Sequence, residues 1–190
     1  RITSSGTVIA TNTGNIVIDG TGGTGTSQND GVEVTDSAMV RAVASGDITI
    51  KGATTALGVG LALTNNGAIT VGNGNIELEG ASNTAAGIIM NGASVQAASG
   101  ESTKGHVVAT AESDTPIAFS LGDISSNDLM IRSRGGDVSF DTFGTITANH
   151  LTLSSAGAPA GFDFSGGDVN VGQLSADSQL GSVDLANNAN

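Results

Sequence analysis

Five times in this sequence a glycine is followed by Asn or Asp and then by an apolar-x-apolar triplet. The units are Gly14-Asn15-Ile16-Val17-Ile18, Gly46-Asp47-Ile48-Thr49-Ile50, Gly74-Asn75-Ile76-Glu77-Leu78, Gly136-Asp137-Val138-Ser139-Phe140 and Gly167-Asp168-Val169-Asn170-Val171. They are spaced by 32 residues (Gly14 to Gly46), 28 (Gly46 to Gly74), 62 (Gly74 to Gly136) and 31 (Gly136 to Gly167). If the long interval holds two units, one repeat takes about 30 residues, which is the range of stacked repeat proteins.

Two further strand-like pieces follow in each of the first three repeats: 31–34 and 38–42, then 60–63 and 68–71, then 87–90 and 94–97. The predicted fold is therefore all-β, a right-handed parallel β-helix (β-solenoid) of about six coils, each with three short strands. Side chains alternate faces along a strand. Stacking the first strand of every coil thus predicts one inward rank of Ile16, Ile48, Ile76, Val138 and Val169, and a second of Ile18, Ile50, Leu78, Phe140 and Val171. A slip of one residue would replace the first rank by Val17, Thr49, Glu77, Ser139 and Asn170, so burial specifies the register.

Composition points the same way. With 29 Gly among 190 residues, and abundant Thr, Ser, Asn and Val, no long run of good helix formers carries a 3.6-residue apolar stripe. Hydrophobic residues make up 38% of the chain but aromatics only 3%, so small aliphatics must fill the interior. Asn, Asp and Gly suit tight corners. The whole of 1–190 reads as a single solenoid segment of a longer repeat protein. Within it, 100–135 is expected to be an irregular coil with an insertion. An open solenoid end exposes unpaired strand edges, which predicts further coils before Arg1 or after Asn190, or like chains joined through coil ends.

A net charge of -12 and a pI near 4.1 disfavour nucleic acid and anionic membrane surfaces as partners. No apolar run is long enough to span a bilayer, so membrane insertion is not expected. There is no cysteine for a disulfide or a thiolate.

Few residues resemble a reaction centre. Asp19, Lys51 and Glu79 occupy one outward position on three successive coils, a possible charge ladder. Glu77 and Glu79 share a face at a separation that could suit paired carboxylates of a glycosidase, but no aromatic or basic sugar-holding group accompanies them. Asn15, Asp47 and Asn75 form a rank explained by turn geometry. Asp137 and Asp168 could hold a Ca2+ between them, the one cofactor entertained; otherwise no cofactor or metal is expected. His106 and His150 fall in different coils and read as surface histidines. The glycine-rich Gly22-Gly23-Thr24-Gly25 lacks the Gly-Lys-Ser/Thr ending of a phosphate loop. An ice-binding face would need a regular outward Thr rank, which is missing.

The reiterated units, such as Gly46-Asp47-Ile48-Thr49-Ile50-Lys51-Gly52 and Gly74-Asn75-Ile76-Glu77-Leu78-Glu79-Gly80, resemble the repeats of large filamentous-haemagglutinin-like bacterial adhesins of the two-partner-secretion type. The resemblance runs from about Gly14 to Leu185. It implies a non-catalytic shaft or adhesive segment of a fibre that is secreted or held at the bacterial cell surface. The partners would be a receptor or glycan on a host or neighbouring cell, contacted through loops near Thr21 to Asp30 and Gly100 to Pro116. Two alternatives from other classes are a polysaccharide lyase or hydrolase on the same architecture and a self-assembling extracellular filament subunit.

Overall fold

The computed structural model describes residues 1–26, 29–97, 105–113, 117–140, 144–156, 160–177 and 181–184, with the side chains of 117–121 and 140 excepted. Among them the chain is all-β, and every strand pairing is parallel. It starts with β1 (Thr7–Ala10) and then repeats in threes: β2 (Ile16–Thr21), β3 (Val32–Val34), β4 (Met39–Ala42); β5 (Ile48–Thr54), β6 (Leu61–Thr64), β7 (Ala68–Val71); β8 (Ile76–Ser82), β9 (Ile88–Asn91), β10 (Ser94–Ala97). Each of these strands pairs with the strand three further along the chain, so β2 meets β5, β3 meets β6 and β4 meets β7.

The pattern then changes. After β11 (His106–Ser113) and β12 (Ile117–Leu121), the strand β13 (Asp123–Ser133) runs through 11 residues and pairs with β10 by its first part and with β11 by its second. The later strands follow suit: β14 (Asp137–Phe140), the 11-residue β15 (Thr145–Ser155), β16 (Phe162–Asp163), the nine-residue β17 (Asp168–Ala176) and β18 (Val183–Asp184). In the early repeats a turn separates the third strand from the next first strand, as at Gly72-Asn73-Gly74. In β13, β15 and β17 that turn is reduced to a bend at Asn127, Asn149 and Gly172, where the ladder skips one pair. The repeat shortens accordingly, to 22 residues from Val107 to Leu129 and again from Leu129 to Leu151. Three short strands per repeat thus describes the first part of the chain only.

This shortening corrects the expected ranks. Ile16, Ile48 and Ile76 pair in sequence and are buried, and the column continues through Val107, Leu129 and Leu151. Ile18, Ile50 and Leu78 continue likewise through Ala109, Ile131 and Leu153. Val138 is buried, but it stands in a second column with Val32, Leu61, Ile88 and Phe162. Phe140 lies at the end of β14, opposite Leu121, and its side chain lies outside the described residues. Val169 and Val171 belong to a third column set, beside Ile146 and Ala148. The Gly-Asn/Asp-apolar-x-apolar unit marks the start of a strand on any face, so its spacing does not identify the face.

The three column sets meet in one apolar interior running from Ile16 to Phe164. The third set is lined by small residues, with Ala42, Val71, Ala97 and Ala148 in line. Ser126 interrupts that line, and among the described residues its buried hydroxyl has no hydrogen-bond partner. Toward the C-terminal end Phe162 and Phe164 stack at a centroid separation of 6.4 Å.

Each corner has its own chemistry. Between the second and third strands of a repeat the backbone turns through paired residues with positive φ: Ser4 and Ser5, Asp36 and Ser37, then Asn65 and Asn66. Short polar side chains tolerate that conformation best. Between the first and second strands, glycines let two backbones approach closely: a Cβ on Gly52 would lie 2.0 Å from the carbonyl oxygen of Gly60. At the same corner the buried hydroxyls of Ser82 and Ser113 donate to the carbonyls of Gly58 and Ala85, at 2.8 and 2.6 Å.

Residues 100–104 and 114–116, within the expected irregular stretch, lie outside the described residues, as do 27 and 28 of the first expected contact loop. On the described side, β12 joins β14 with a register shift between Ile117 and Phe119.

Candidate functional site

At the corner that precedes the first strand of the first three repeats, the sequence places an Asn or Asp, and the structure gives it a specific task. The Asn15 carboxamide oxygen accepts the backbone N–H of Asp47 at 2.9 Å, the Asp47 carboxylate that of Asn75 at 2.8 Å, and the Asn75 oxygen that of His106 at 3.2 Å. None of these residues has a positive φ. Turn geometry was the expected reason for this rank; the observed one is that each side chain satisfies a donor of the following repeat, as a cap does at a helix end. Asp30, Asp123 and Asp137 do the same for Val59, Thr145 and Gly161.

Following this position along the stack exposes a grouping that adjacent-residue reasoning missed. In-register pairing carries the column from Asn75 to His106, then to Asp128, His150 and Gln173. Asp128 stands between two imidazoles: His106 Nδ1 lies 2.8 Å from its Oδ2, and His150 Nδ1 lies 2.5 Å from its Oδ1. A carboxylate can only accept, so each Nδ1 carries the hydrogen and each Nε2 is left free of it when the ring is neutral. The two histidines, expected to be isolated, share one partner. The available signal was their equal 22-residue spacing from Asp128.

His106 also borders a shallow groove of about 200 Å³, lined by Asp47, Thr49, Asn75, Glu77 and Val108 among others. It contains carboxylates and an imidazole, but among the described residues no aromatic ring on which a sugar could stack.

The outward position of Asp19, Lys51 and Glu79 is in register across three repeats, and Lys51 Nζ meets Glu79 Oε2 at 2.9 Å. Among the described residues Asp19 makes no ion pair. Glu79 instead also receives Arg134 at 3.3 Å, and Arg134 lies 3.8 Å from Glu112. The hydrogen bond and charge of Lys51 hold the Glu79 carboxyl below its ordinary value, with Arg134 adding to the effect. The same contact with Glu79 raises Lys51, helped by the charges of Glu77 and Asp19. Glu79 is thereby occupied as an ion-pair partner rather than matched with Glu77 across a substrate site.

Asp137 and Asp168 are not neighbours. Asp137 lies in β14 and accepts the N–H of Gly161 at 2.7 Å, whereas Asp168 lies in β17 opposite Thr145. The two strands belong to two different sheets. Among the described residues, no group of three or more His, Cys, Asp or Glu side chains could hold a metal ion. Among the same residues, no helix is long and apolar enough to cross a membrane.

Compared with protein-family models, curated proteins and solved structures, the chain finds no match.

Proposed function

We propose that this chain is a right-handed parallel β-helix serving as a structural and adhesive shaft segment of a bacterial fibre, secreted or held at the cell surface and similar to filamentous-haemagglutinin-like adhesins. The observation that carries the reading is the in-register parallel pairing of each early strand with the strand three positions on. Repeats stacked this way lengthen along one axis by about 4.8 Å each. Such a body suits holding a distal surface away from a cell. A receptor or glycan on a host or neighbouring cell would be met by the corner loops rather than by the strands.

The shaft has no catalytic task in this reading. Supporting that view, Glu79 is engaged by Lys51 and Arg134, and the groove beside His106 lacks a sugar platform. The test is solution scattering together with incubation of the purified chain with polysaccharides and labelled cells. An elongated profile with saturable cell binding and no chain cleavage is the expected result. Release of new reducing or unsaturated ends would overturn it in favour of a β-helix lyase or hydrolase.

One observation favours the self-assembling filament as a second reading. The apolar columns continue into the outermost described strands, where Leu174 is 40% and Val183 is 38% exposed, against 0% for Leu151 and 1% for Phe162. A like chain stacked on β17 and β18 would cover them, as would a further repeat of the same chain. Electron microscopy over a concentration series distinguishes the two: fibres that grow with concentration indicate assembly, and persistent single rods exclude it.

A further inference from the structure

We infer that Asn91 is a self-modifying site: in the folded chain its carboxamide is converted to a carboxylate through attack by the backbone nitrogen of Gly92. Asn-Gly occurs three times in the sequence, at Asn66-Gly67, Asn73-Gly74 and Asn91-Gly92. Glycine favours this chemistry because the attacking nitrogen is least hindered, and its peptide freest to turn, when the residue bearing it has no Cβ. As dipeptides the three are equal, and the fold separates them.

Two of the three are held in place. The Gly67 N–H donates to the Thr64 carbonyl at 2.9 Å, and Gly67 is buried, with the Val34 carbonyl oxygen 2.4 Å from where a Cβ would stand. Gly74 is buried as well, with the Gly46 carbonyl oxygen 2.2 Å from the corresponding point. Neither peptide can swing toward its asparagine side chain without displacing the neighbouring repeat. Asn91-Gly92, by contrast, lies where β9 ends at the corner ahead of β10, and both residues are exposed. Gly92 has a φ of 61° and nothing within 4 Å of where its Cβ would stand. Among the described residues, neither the Gly92 N–H nor the Asn91 carboxamide has a hydrogen-bond partner. The nitrogen is free to lose its proton, and the side chain is free to turn toward it.

The atoms balance with water as the only co-reactant. The Gly92 nitrogen gives its proton to solvent and bonds to Asn91 Cγ, the bond from Cγ to the side-chain nitrogen breaks, and that nitrogen takes up a proton and leaves as ammonia. A succinimide ring remains. Water then opens the ring at either carbonyl: at Cγ it leaves aspartate, and at the main-chain carbonyl it leaves isoaspartate, whose chain runs on through Cγ. Both products carry one negative charge where a neutral amide stood. The isoaspartate also lengthens the backbone by one carbon. It turns the Asn91 carbonyl, which accepts the Asn65 N–H at 3.1 Å, into a free carboxylate, and it shifts the Gly92 carbonyl, which accepts the Asn66 N–H at 2.8 Å. The pairing of β6 with β9 is thereby loosened at its Thr64–Asn91 end.

The test incubates the intact folded protein in mildly alkaline buffer while site-resolved peptide mass spectrometry follows the change from amide to carboxyl at Asn66, Asn73 and Asn91. The same incubation in denaturant serves as reference, and there the three sites should convert at similar rates. In the folded chain Asn91 should keep a rate within about threefold of that reference, whereas Asn66 and Asn73 should slow by about tenfold or more, because each must first open the fold locally. Ion exchange should resolve a new, more acidic species holding both aspartate and isoaspartate at position 91. Asn91→Gln, whose longer side chain closes a ring more slowly, should remove that species, with circular dichroism establishing that the fold is retained. Equal protection of the three sites, faster conversion of Asn66 or Asn73 than of Asn91 in the folded chain, or an acidic species forming at an unchanged rate in Asn91→Gln would each overturn the assignment.

Discussion

Replacing Gly52 by Ala adds one methyl group where two backbones of the stack nearly touch. Its Cβ would lie 2.0 Å from the Gly60 carbonyl oxygen, 2.7 Å from the Gly60 carbonyl carbon and 2.9 Å from the Val32 nitrogen. All three neighbours are backbone atoms, so no flexible side chain can yield. Restoring ordinary contact requires the two faces to separate by about 1.4 Å, and overpacking of this kind costs about 1–3 kcal/mol. Against this, alanine restricts the unfolded chain and returns about 0.4–1 kcal/mol. Taking the upper part of the overpacking range, the net destabilisation is about 2 kcal/mol, a fall in thermal midpoint of about 4–8 °C for a chain of this size. Gly14→Ala is the matched control, since its nearest neighbour would be the Ala10 Cβ at 3.9 Å. Only the unfolded-state effect operates there, so Gly14→Ala should be unchanged or more stable by up to about 1 kcal/mol. Urea unfolding at constant m-value measures both variants. A Gly52→Ala protein as stable as the wild type, with its β-sheet circular dichroism intact, would refute the close approach of these two faces.

Ser126→Ala removes a buried hydroxyl without a partner from a column otherwise lined by Ala97 and Ala148, and should stabilise the fold by about 1 kcal/mol in the same urea assay. Ile50→Ala empties part of the first column set and should cost about 2–5 kcal/mol, whereas Glu77→Gln on the outward side should stay within about 0.5 kcal/mol. Thermal melts as a function of pH should report the Lys51–Glu79 pair with opposite signs at its two limits. Glu79 is depressed in the folded state, so its contribution is present above the unfolded value of 4.5 and fades as the pH falls through the folded value. Lys51 is raised, so its contribution is complete below 10.5 and fades as the pH rises through the folded value. Lys51→Met should flatten both limbs, and added salt should weaken the effect in the wild type.

The alternation of apolar side chains at Ile16, Ile18, Ile48, Ile50, Ile76 and Leu78 determines by itself that these strands bury one face and lie in register. A one-residue slip would carry Glu77 inward and Ile76 and Leu78 out to solvent. That much was legible because strand periodicity is local. The destinations of Val138, Phe140, Val169 and Val171 were not, because a strand-start motif looks the same on every face, and the face is the accumulated result of all preceding turn lengths. Several corners tighten after β11, the one ahead of Asp128 among them, so that the repeat shortens to 22 residues, and with this shift the later Gly-Asp units open strands on other faces. The same shift brings His106, Asp128 and His150 into one column. Sequence separation places those residues far apart, and only parallel pairing between consecutive repeats makes them neighbours, because hydrogen bonding between strands sets their spacing whatever the length of chain between them.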